Sequence, residues 1–182
     1  MVYMLLADGF EETEAIAPLD LLRRAGIDVS TVSLTSDLLV AGGQGITVKA
    51  DITLGQIDFD AMEMLILPGG GGGVRTMADT PAVMDLIARS WKEDKKIAAI
   101  CAAPSLLAKL GLLDGWSVVC HPSVSDAVSA VGGMLQPGVP ATRDRKLVTG
   151  KAAGYAIDFG IELVAFLQDR EKAEKLRHAV AP

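Results

Sequence analysis

The sequence predicts an α/β fold in which a mostly parallel sheet lies between two layers of helices. Short, mainly apolar runs alternate along the chain with amphipathic helical patterns. Apolar runs of this kind are typical of strands covered on both faces, and their alternation with helices is typical of βαβ units. Half of the 182 residues are hydrophobic, which is enough for one large core. We therefore expect residues 1–182 to form a single domain.

Five apolar runs are the predicted strands of this sheet. They are residues 2–7, 29–34, 64–67, 97–100 and 116–120. Two further β-like runs, 38–41 and 46–52, flank the sequence GGQG at 42–45, and this pattern predicts a hairpin. Residues 141–149 resemble another small β excursion.

Helical patterns fill the spaces between strands and close the chain. The predicted helices cover 14–25, 82–92, 156–168 and 170–179. Gly26 is a typical stop signal for the first of them, and Thr80 with Pro81 is a typical start for the second. Asp169 is a predicted N-cap of the last helix.

Composition and charge exclude several classes of protein. The formal net charge is −6, and the basic residues are scattered, so the basic stripe of a nucleic-acid binder is missing. No apolar run approaches the ~20 residues that cross a bilayer, so we expect a soluble, cytoplasmic protein. Only two cysteines occur, Cys101 and Cys120, too few for a disulfide framework. If either thiol has a role, that role is expected to be reactive.

The residues that directly follow the predicted strands carry the candidate chemistry. In an open parallel sheet, ligands bind beyond the carboxyl ends of the strands. DGFEETE follows the first strand, PGGGGG the third and CAAPS the fourth, while Cys120 and His121 stand at the end of the fifth. We therefore expect a carboxylic acid, backbone amides, a thiol and an imidazole to share one edge of the sheet.

Cys101 and Glu14 each allow two interpretations. Cys101 precedes a helix predicted to begin near Pro104, and a helix N-terminus lowers the pKa of a thiol, so Cys101 is a candidate nucleophile. By its residue type alone it is more often a small buried hydrophobe. Glu14 either compensates the dipole of the first helix or, turned toward the thiol, transfers protons.

The glycine run and the histidines also leave alternatives open. No Lys-Ser or Lys-Thr pair follows PGGGGG, and Val74 breaks the GxGxxG spacing, so the run is not a nucleotide-binding loop. Its amides either form an oxyanion hole or belong to a flexible connection. His121 either orients or shuttles a proton or is purely structural. With no HExxH, no CxxC and two histidines, we expect no metal site.

Several segments together resemble the ThiJ/PfpI superfamily, also called the DJ-1/PfpI family, in its DJ-1/YajL-like branch. They are GFEETEAIAPLDLLRRAGIDV at 9–29, LILPGGGGG at 65–73, AAICAAPSLLAKLGLL at 98–113, HP at 121–122 and AIDFGIELV at 156–164. The resemblance implies a three-layer α/β/α sandwich of the flavodoxin-like, class I glutamine amidotransferase-like type. It assigns the catalytic residues and the substrate-binding amides as follows: Cys101 as nucleophile, Glu14 as its protonated partner, His121 as the nearby histidine, and the amides of Gly69, Gly70 and Ala102.

The sequence departs from the family pattern at three places. Ala102 stands where the protease-like branch has a histidine, which argues against a peptidase. Residues 152–155 read AAGY instead of the usual Gly-Pro-Gly-Thr, so one wall of the pocket is expected to differ. The branch forms homodimers through the first helix and the hairpin, and Gln44 stands where an arginine is often found.

The resemblance implies two classes of function. The first is cofactor-independent conversion of 2-oxoaldehydes, such as methylglyoxal to lactate, through a hemithioacetal on Cys101 with Glu14 moving protons; a related deglycase reaction acts on glycated substrates. The second is an oxidative-stress sensor or redox-dependent chaperone that acts through a Cys101 sulfinate. No residue supports the thiamine-precursor role that older labels of the superfamily suggest.

Overall fold

The computed structural model describes residues 1–180, and seven of its strands form a central sheet. In their order across the sheet, the strands are β10 (Ala141–Asp144), β11 (Leu147–Gly150), β7 (Lys96–Ile100), β6 (Met64–Leu67), β1 (Val2–Leu6), β2 (Val29–Ser33) and β5 (Ile52–Thr53). All neighbouring strands pair in parallel except β10 and β11. The predicted mostly parallel sheet is confirmed, while a single domain over 1–182 stays a prediction.

Within residues 1–180, four short strands lie outside this sheet. β3 (Leu39–Ala41) and β4 (Thr47–Lys49) form the predicted antiparallel hairpin. β8 (Ser117–Val118) pairs with β9 (Met134–Leu135), so the prediction that 116–120 is a strand of the central sheet was wrong. The reason lies in its hydrogen bonds: the N–H of Ser117 bonds the carboxylate of Asp144, and that of Val119 bonds the hydroxyl of Thr149. Side chains of β10 and β11 thus occupy the donors that a ladder would need.

The β structure predicted at 141–149 is confirmed, but the segment forms two strands of the central sheet instead of a separate excursion. β11 pairs in parallel with β7, and all four of its residues are buried. The polar sequence of β10 did not indicate a strand of the central sheet. β10 is an edge strand, and its side chains are partly exposed.

Seven helices flank the sheet in the described part of the chain. They are α1 (Glu12–Arg24), α2 (Gly71–Ala78), α3 (Pro81–Lys92), α4 (Pro104–Lys109), α5 (Ser125–Ala130), α6 (Ala156–Leu167) and α7 (Arg170–Val180). Glu11 caps α1 by accepting the N–H of Glu14 at 2.7 Å, and Asp169 caps α7 by accepting the N–H of Lys172 at 2.8 Å. Thr80 precedes α3 as predicted, but its hydroxyl bonds the carbonyl of Thr76 instead of capping that helix.

The helices divide into two layers because alternate strand residues face opposite sides of the sheet. Met4 and Leu6 pack with α1, α6 and α7, whereas Tyr3 and Leu5 pack with α2, α3, α4 and α5. The result is the α/β/α sandwich that the apolar strands require.

The order of the strands fixes where a ligand can bind. From β1 the chain runs outward through β2 to β5, and it then returns to β6 and runs outward through β7 to β11. The helices after β1 and β6 therefore leave toward opposite faces, which opens a crevice between these strands at their carboxyl ends. The segments after β1, β6 and β7 meet there.

Candidate active site

Cys101 occupies a strained turn between β7 and α4. Its φ is 63°, in the left-handed region that costs a residue other than glycine ~1–3 kcal/mol. The surrounding chain holds this conformation: the N–H of Cys101 donates to the carbonyl of Gly150 at 3.0 Å, and its own carbonyl accepts the N–H of His121 at 2.8 Å. A strained strand-to-helix turn of this kind is typical of an exposed nucleophile.

Glu14 lies in the first turn of α1 and faces Cys101 across Gly69. Its side chain is buried, with 1% of its surface exposed. A methyl group on Gly69 would overlap Glu14 Oε2 and lie 2.6 Å from the Cβ atom of Cys101. Gly69 is therefore required as glycine, because any side chain would fill the space between the carboxyl and the nucleophile.

Burial raises the pKa of Glu14 from its ordinary value of 4.5 to about 7. The thiol of Cys101 and the N–H groups of Gly69 and Ala153 oppose this rise, while the Glu11 carboxylate adds to it. Within residues 1–180, Glu14 Oε2 has no hydrogen-bond partner of normal geometry. A protonated carboxyl accounts for this, because a buried unpaired carboxylate is costly and a neutral one can donate to a ligand.

The sequence predicted a lowered pKa for the Cys101 thiol. Beside an ionised Glu14 this prediction is wrong, because the pKa is raised. Burial and the neighbouring Glu14 carboxylate together raise the pKa of Cys101 to about 12, against the N–H groups of Ala102 and Gly70. Two acids in contact do not both ionise readily, so they titrate as a pair. The pair therefore releases its two protons in separate steps, and the charge left by the first step opposes the second.

The glycine amides are fixed in place. Gly69 directs its N–H at the carboxyl of Glu14, and Gly70 directs its N–H at the sulfur. Gly70 has a φ of 92°, and a methyl group there would lie 2.5 Å from the backbone N of Glu11. The next glycines form the first turn of α2, so the alternative of a flexible connection was wrong.

His121 and Cys120 lie beside the pair without joining it through their side chains. The backbone of His121 supports Cys101, but its ring Nδ1 is 2.8 Å from the hydroxyl of Ser123 and accepts that residue's N–H at 3.2 Å. Cys120 is buried among apolar side chains, which raises its pKa.

Sequence reasoning missed Gly150 and Ala153, which contact the pair through backbone atoms. Backbone donors and acceptors have no side-chain signature, and the departure at 152–155 was the available signal. Among residues 1–180, no three His, Cys, Asp or Glu side chains group as metal ligands. In the same range, no helix has the length and apolar composition needed to cross a bilayer.

Glu14 is expected to make the free energy of unfolding depend on pH between about 4.5 and about 7. Its folded-state pKa is raised, so its stabilising contribution is complete below pH 4.5 and is lost as pH rises through 7. This shift corresponds to at most about 3 kcal/mol. Urea unfolding of the wild type and Glu14→Gln at several pH values should show the variant gaining stability relative to the wild type as pH rises. A pH-independent difference would contradict the raised pKa.

Comparisons with known proteins identify relatives of this chain. The family model of the DJ-1/PfpI family matches residues 1–166. Protein dj-1beta of Drosophila melanogaster is 32% identical over 173 residues, which cover 95% of this chain and 92% of that protein. Its crystal structure superposes with a TM-score of 0.92 at 31% identity, covering 98% of this chain and 96% of that one.

A further relative is named for an activity. The glutathione-independent glyoxalase DJ-1 of Schizosaccharomyces pombe is 29% identical over 178 residues, which cover 94% of this chain and 93% of that protein. The strained Cys101 turn, the buried Glu14 and the glycine segment lie within the matched region. The chain belongs to the DJ-1/PfpI family.

Proposed function

We propose that the protein converts 2-oxoaldehydes, such as methylglyoxal, into hydroxy acids without glutathione, metal or other cofactor. The observation that carries this proposal is the buried Glu14 carboxyl, with its pKa of about 7 and its unpartnered Oε2, beside Cys101 on a strained turn. A general acid–base group works best when its pKa lies near the working pH. The glyoxalase named in Schizosaccharomyces pombe supports the same activity.

The reaction balances with these two residues and water. The sulfur of Cys101 bonds to the aldehyde carbon, and the carbonyl oxygen takes a proton, which gives a hemithioacetal. Glu14 then carries the proton from the former aldehyde carbon to the neighbouring ketone carbon, through an enediol. The first carbon is thereby oxidised to a thioester and the second is reduced to an alcohol. Water hydrolyses the thioester, releasing the hydroxy acid and the thiol.

The backbone amides of Gly70 and Ala102 are proposed to stabilise the oxygen that becomes negative during addition. Both N–H groups approach the sulfur, so they lie where the attacked carbonyl must come. One such donor typically contributes ~10²–10³ in rate. We propose a supporting role for His121, whose backbone positions Cys101. The same chemistry extends to glycated amines or thiols, which present a comparable carbonyl.

A redox function is the second candidate, favoured by the unpartnered Oε2 of Glu14. A protonated carboxyl beside the sulfur would donate a hydrogen bond to an oxygen of a Cys101 sulfinate. We place either function in the reducing cytoplasm, because the two cysteines remain free thiols.

One experiment separates the two candidates. Reduced protein is incubated with methylglyoxal in the absence of glutathione, and lactate formation is followed. In parallel, the mass of the peptide that contains Cys101 is measured after mild peroxide treatment, which detects oxidation of the thiol. Lactate formation that requires Cys101 supports the enzyme, whereas oxidation of Cys101 without any turnover supports the sensor.

We also propose a homodimer formed through α1 and the β3–β4 hairpin. Ile16 of α1 is 38% exposed, and Leu39 and Ile46 of the hairpin are each 58% exposed. The carboxylate of Glu12 joins the two elements by accepting the N–H of Gln44 at 2.7 Å. Both elements thus expose large apolar side chains, which are the kind that a stable interface covers.

Ile46→Glu is expected to weaken this dimer at least ~10-fold, because it places a charge in an apolar contact. Analytical ultracentrifugation across a range of protein concentrations measures the dissociation constant. Met134→Glu is the matched control, since Met134 is 49% exposed on β9 and lies on a different element. A wild type that sediments as a monomer at micromolar concentration would contradict the homodimer.

A further inference from the structure

A mostly apolar cavity lies beside the candidate active site, and the chemistry described above does not use it. It has a volume of about 230 Å³. Its walls include Val118, Val119, Pro122, Leu135 and Lys151. An apolar cavity of ~150 Å³ is large enough to bind benzene. This cavity therefore has room for a branched aliphatic group.

Two chain segments connect the cavity to the nucleophile. On one side, His121 precedes the wall residue Pro122 and donates its backbone N–H to the carbonyl oxygen of Cys101 at 2.8 Å. On the other side, Gly150 precedes the wall residue Lys151 and accepts the N–H of Cys101 at 3.0 Å. Both walls are thus anchored on the peptide groups of the nucleophile.

The segment that contains Lys151 also reaches the proton-transfer group. The backbone N–H of Ala153, two residues after Lys151, faces the carboxyl of Glu14. This is the stretch in which the chain reads Ala-Ala-Gly-Tyr. This segment therefore borders the cavity at Lys151 and the reacting pair at Gly150 and Ala153.

We propose that the cavity binds the substituent on the ketone carbon of the 2-oxoaldehyde, and that substrates with a branched aliphatic substituent are preferred over methylglyoxal. This inference rests on the proposed function of Cys101 and Glu14. Because the sulfur attacks the aldehyde carbon, the rest of the substrate extends away from the thiol toward a neighbouring surface. Each additional buried methylene strengthens binding about four-fold.

The kinetic test compares methylglyoxal with isobutylglyoxal, which carries three more carbons on the ketone side. For the wild type, kcat/KM is expected to be at least ~10-fold higher for isobutylglyoxal. Leu135→Phe, which fills the cavity, should lower the ratio of the two kcat/KM values at least ~10-fold. Leu112→Phe is the matched control, because Leu112 packs partly buried against the same core but does not line the cavity. It should leave the ratio unchanged. No preference in the wild type, or equal ratios in both variants, overturns the inference.

A binding measurement judges the cavity separately from turnover. The hydroxy acid 2-hydroxyisocaproate is titrated into wild-type protein, and backbone NMR shifts are followed, with lactate as the comparison ligand. We expect saturable shifts at Val118, Leu135 and Lys151 for 2-hydroxyisocaproate and at least ~10-fold weaker binding of lactate. Absence of these shifts overturns the cavity assignment even if methylglyoxal is turned over. If the shifts are observed but neither aldehyde is turned over, the cavity assignment stands and the proposed function is overturned.

Discussion

Cys101→Ser is expected to reduce methylglyoxal turnover by about 10⁴-fold or more, to the detection limit. The hydroxyl is a much weaker nucleophile than the sulfur, and Glu14, with its pKa near 7, is too weak a base to ionise an alcohol. The fold should survive, since the hydroxyl is smaller than the thiol and keeps the bonds of Cys101 to Gly150 and His121, which involve backbone atoms only. Lactate formation under steady-state conditions measures the loss, and circular dichroism checks the fold.

The wild-type protein provides the internal control for this prediction. Cys120 is 8% exposed and lies in the apolar core, so limiting iodoacetamide should modify Cys101 first. Loss of turnover should then follow the fraction of modified Cys101, as determined by peptide mass. Turnover that persists in Cys101→Ser, or inactivation that follows Cys120 instead, would remove the nucleophile from the mechanism.

The strands of the central sheet were predictable where both faces are buried. β1, β6 and β7 are apolar at almost every position, so their burial can be predicted from the sequence. β11 was not assigned to the central sheet because it directly follows the polar edge strand β10. The segment 116–120 was misassigned for the opposite reason, since an apolar run shows burial but does not show which partner receives its hydrogen bonds.

The residues of the candidate site could be predicted from the sequence, but their pKa values could not. The positions of Cys101 and Glu14 after β7 and β1 follow from the parallel sheet, whose strands end at one edge. The direction of the thiol pKa did not follow, because the sequence shows the helix N-terminus but not the burial of the sulfur, which is the largest cause of the shift. The roles of Gly150 and Ala153 depend on backbone atoms, which sequence letters do not describe.

Glu14→Gln is expected to lower turnover of methylglyoxal ~10²–10⁴-fold while the protein stays folded. The amide has nearly the shape of the carboxyl, so it fills the same buried space beside Gly69, but it cannot accept and return a proton. Any limb of the wild-type pH–rate profile near 7 should disappear in the variant, because the group that titrates there is removed. The double variant with Cys101→Ser should be little worse than Cys101→Ser alone, since the two residues act as a unit.

Glu12→Gln is the matched control, because Glu12 and Glu14 are buried glutamates in the same helical turn whose pKa values shift in opposite directions. Burial acts to raise the pKa of Glu12, but the N–H groups of Glu12, Gln44 and Ile46 outweigh it and lower the pKa, so Glu12 stays ionised and holds the hairpin. Its replacement should destabilise the hairpin by ~1–3 kcal/mol and change turnover less than ~3-fold. If Glu14 instead only compensated the helix dipole, Glu14→Gln would change stability by ~0.3–1 kcal/mol and preserve turnover. Near-wild-type activity in folded Glu14→Gln protein would therefore overturn the paired mechanism and leave Cys101 as a redox-sensitive thiol.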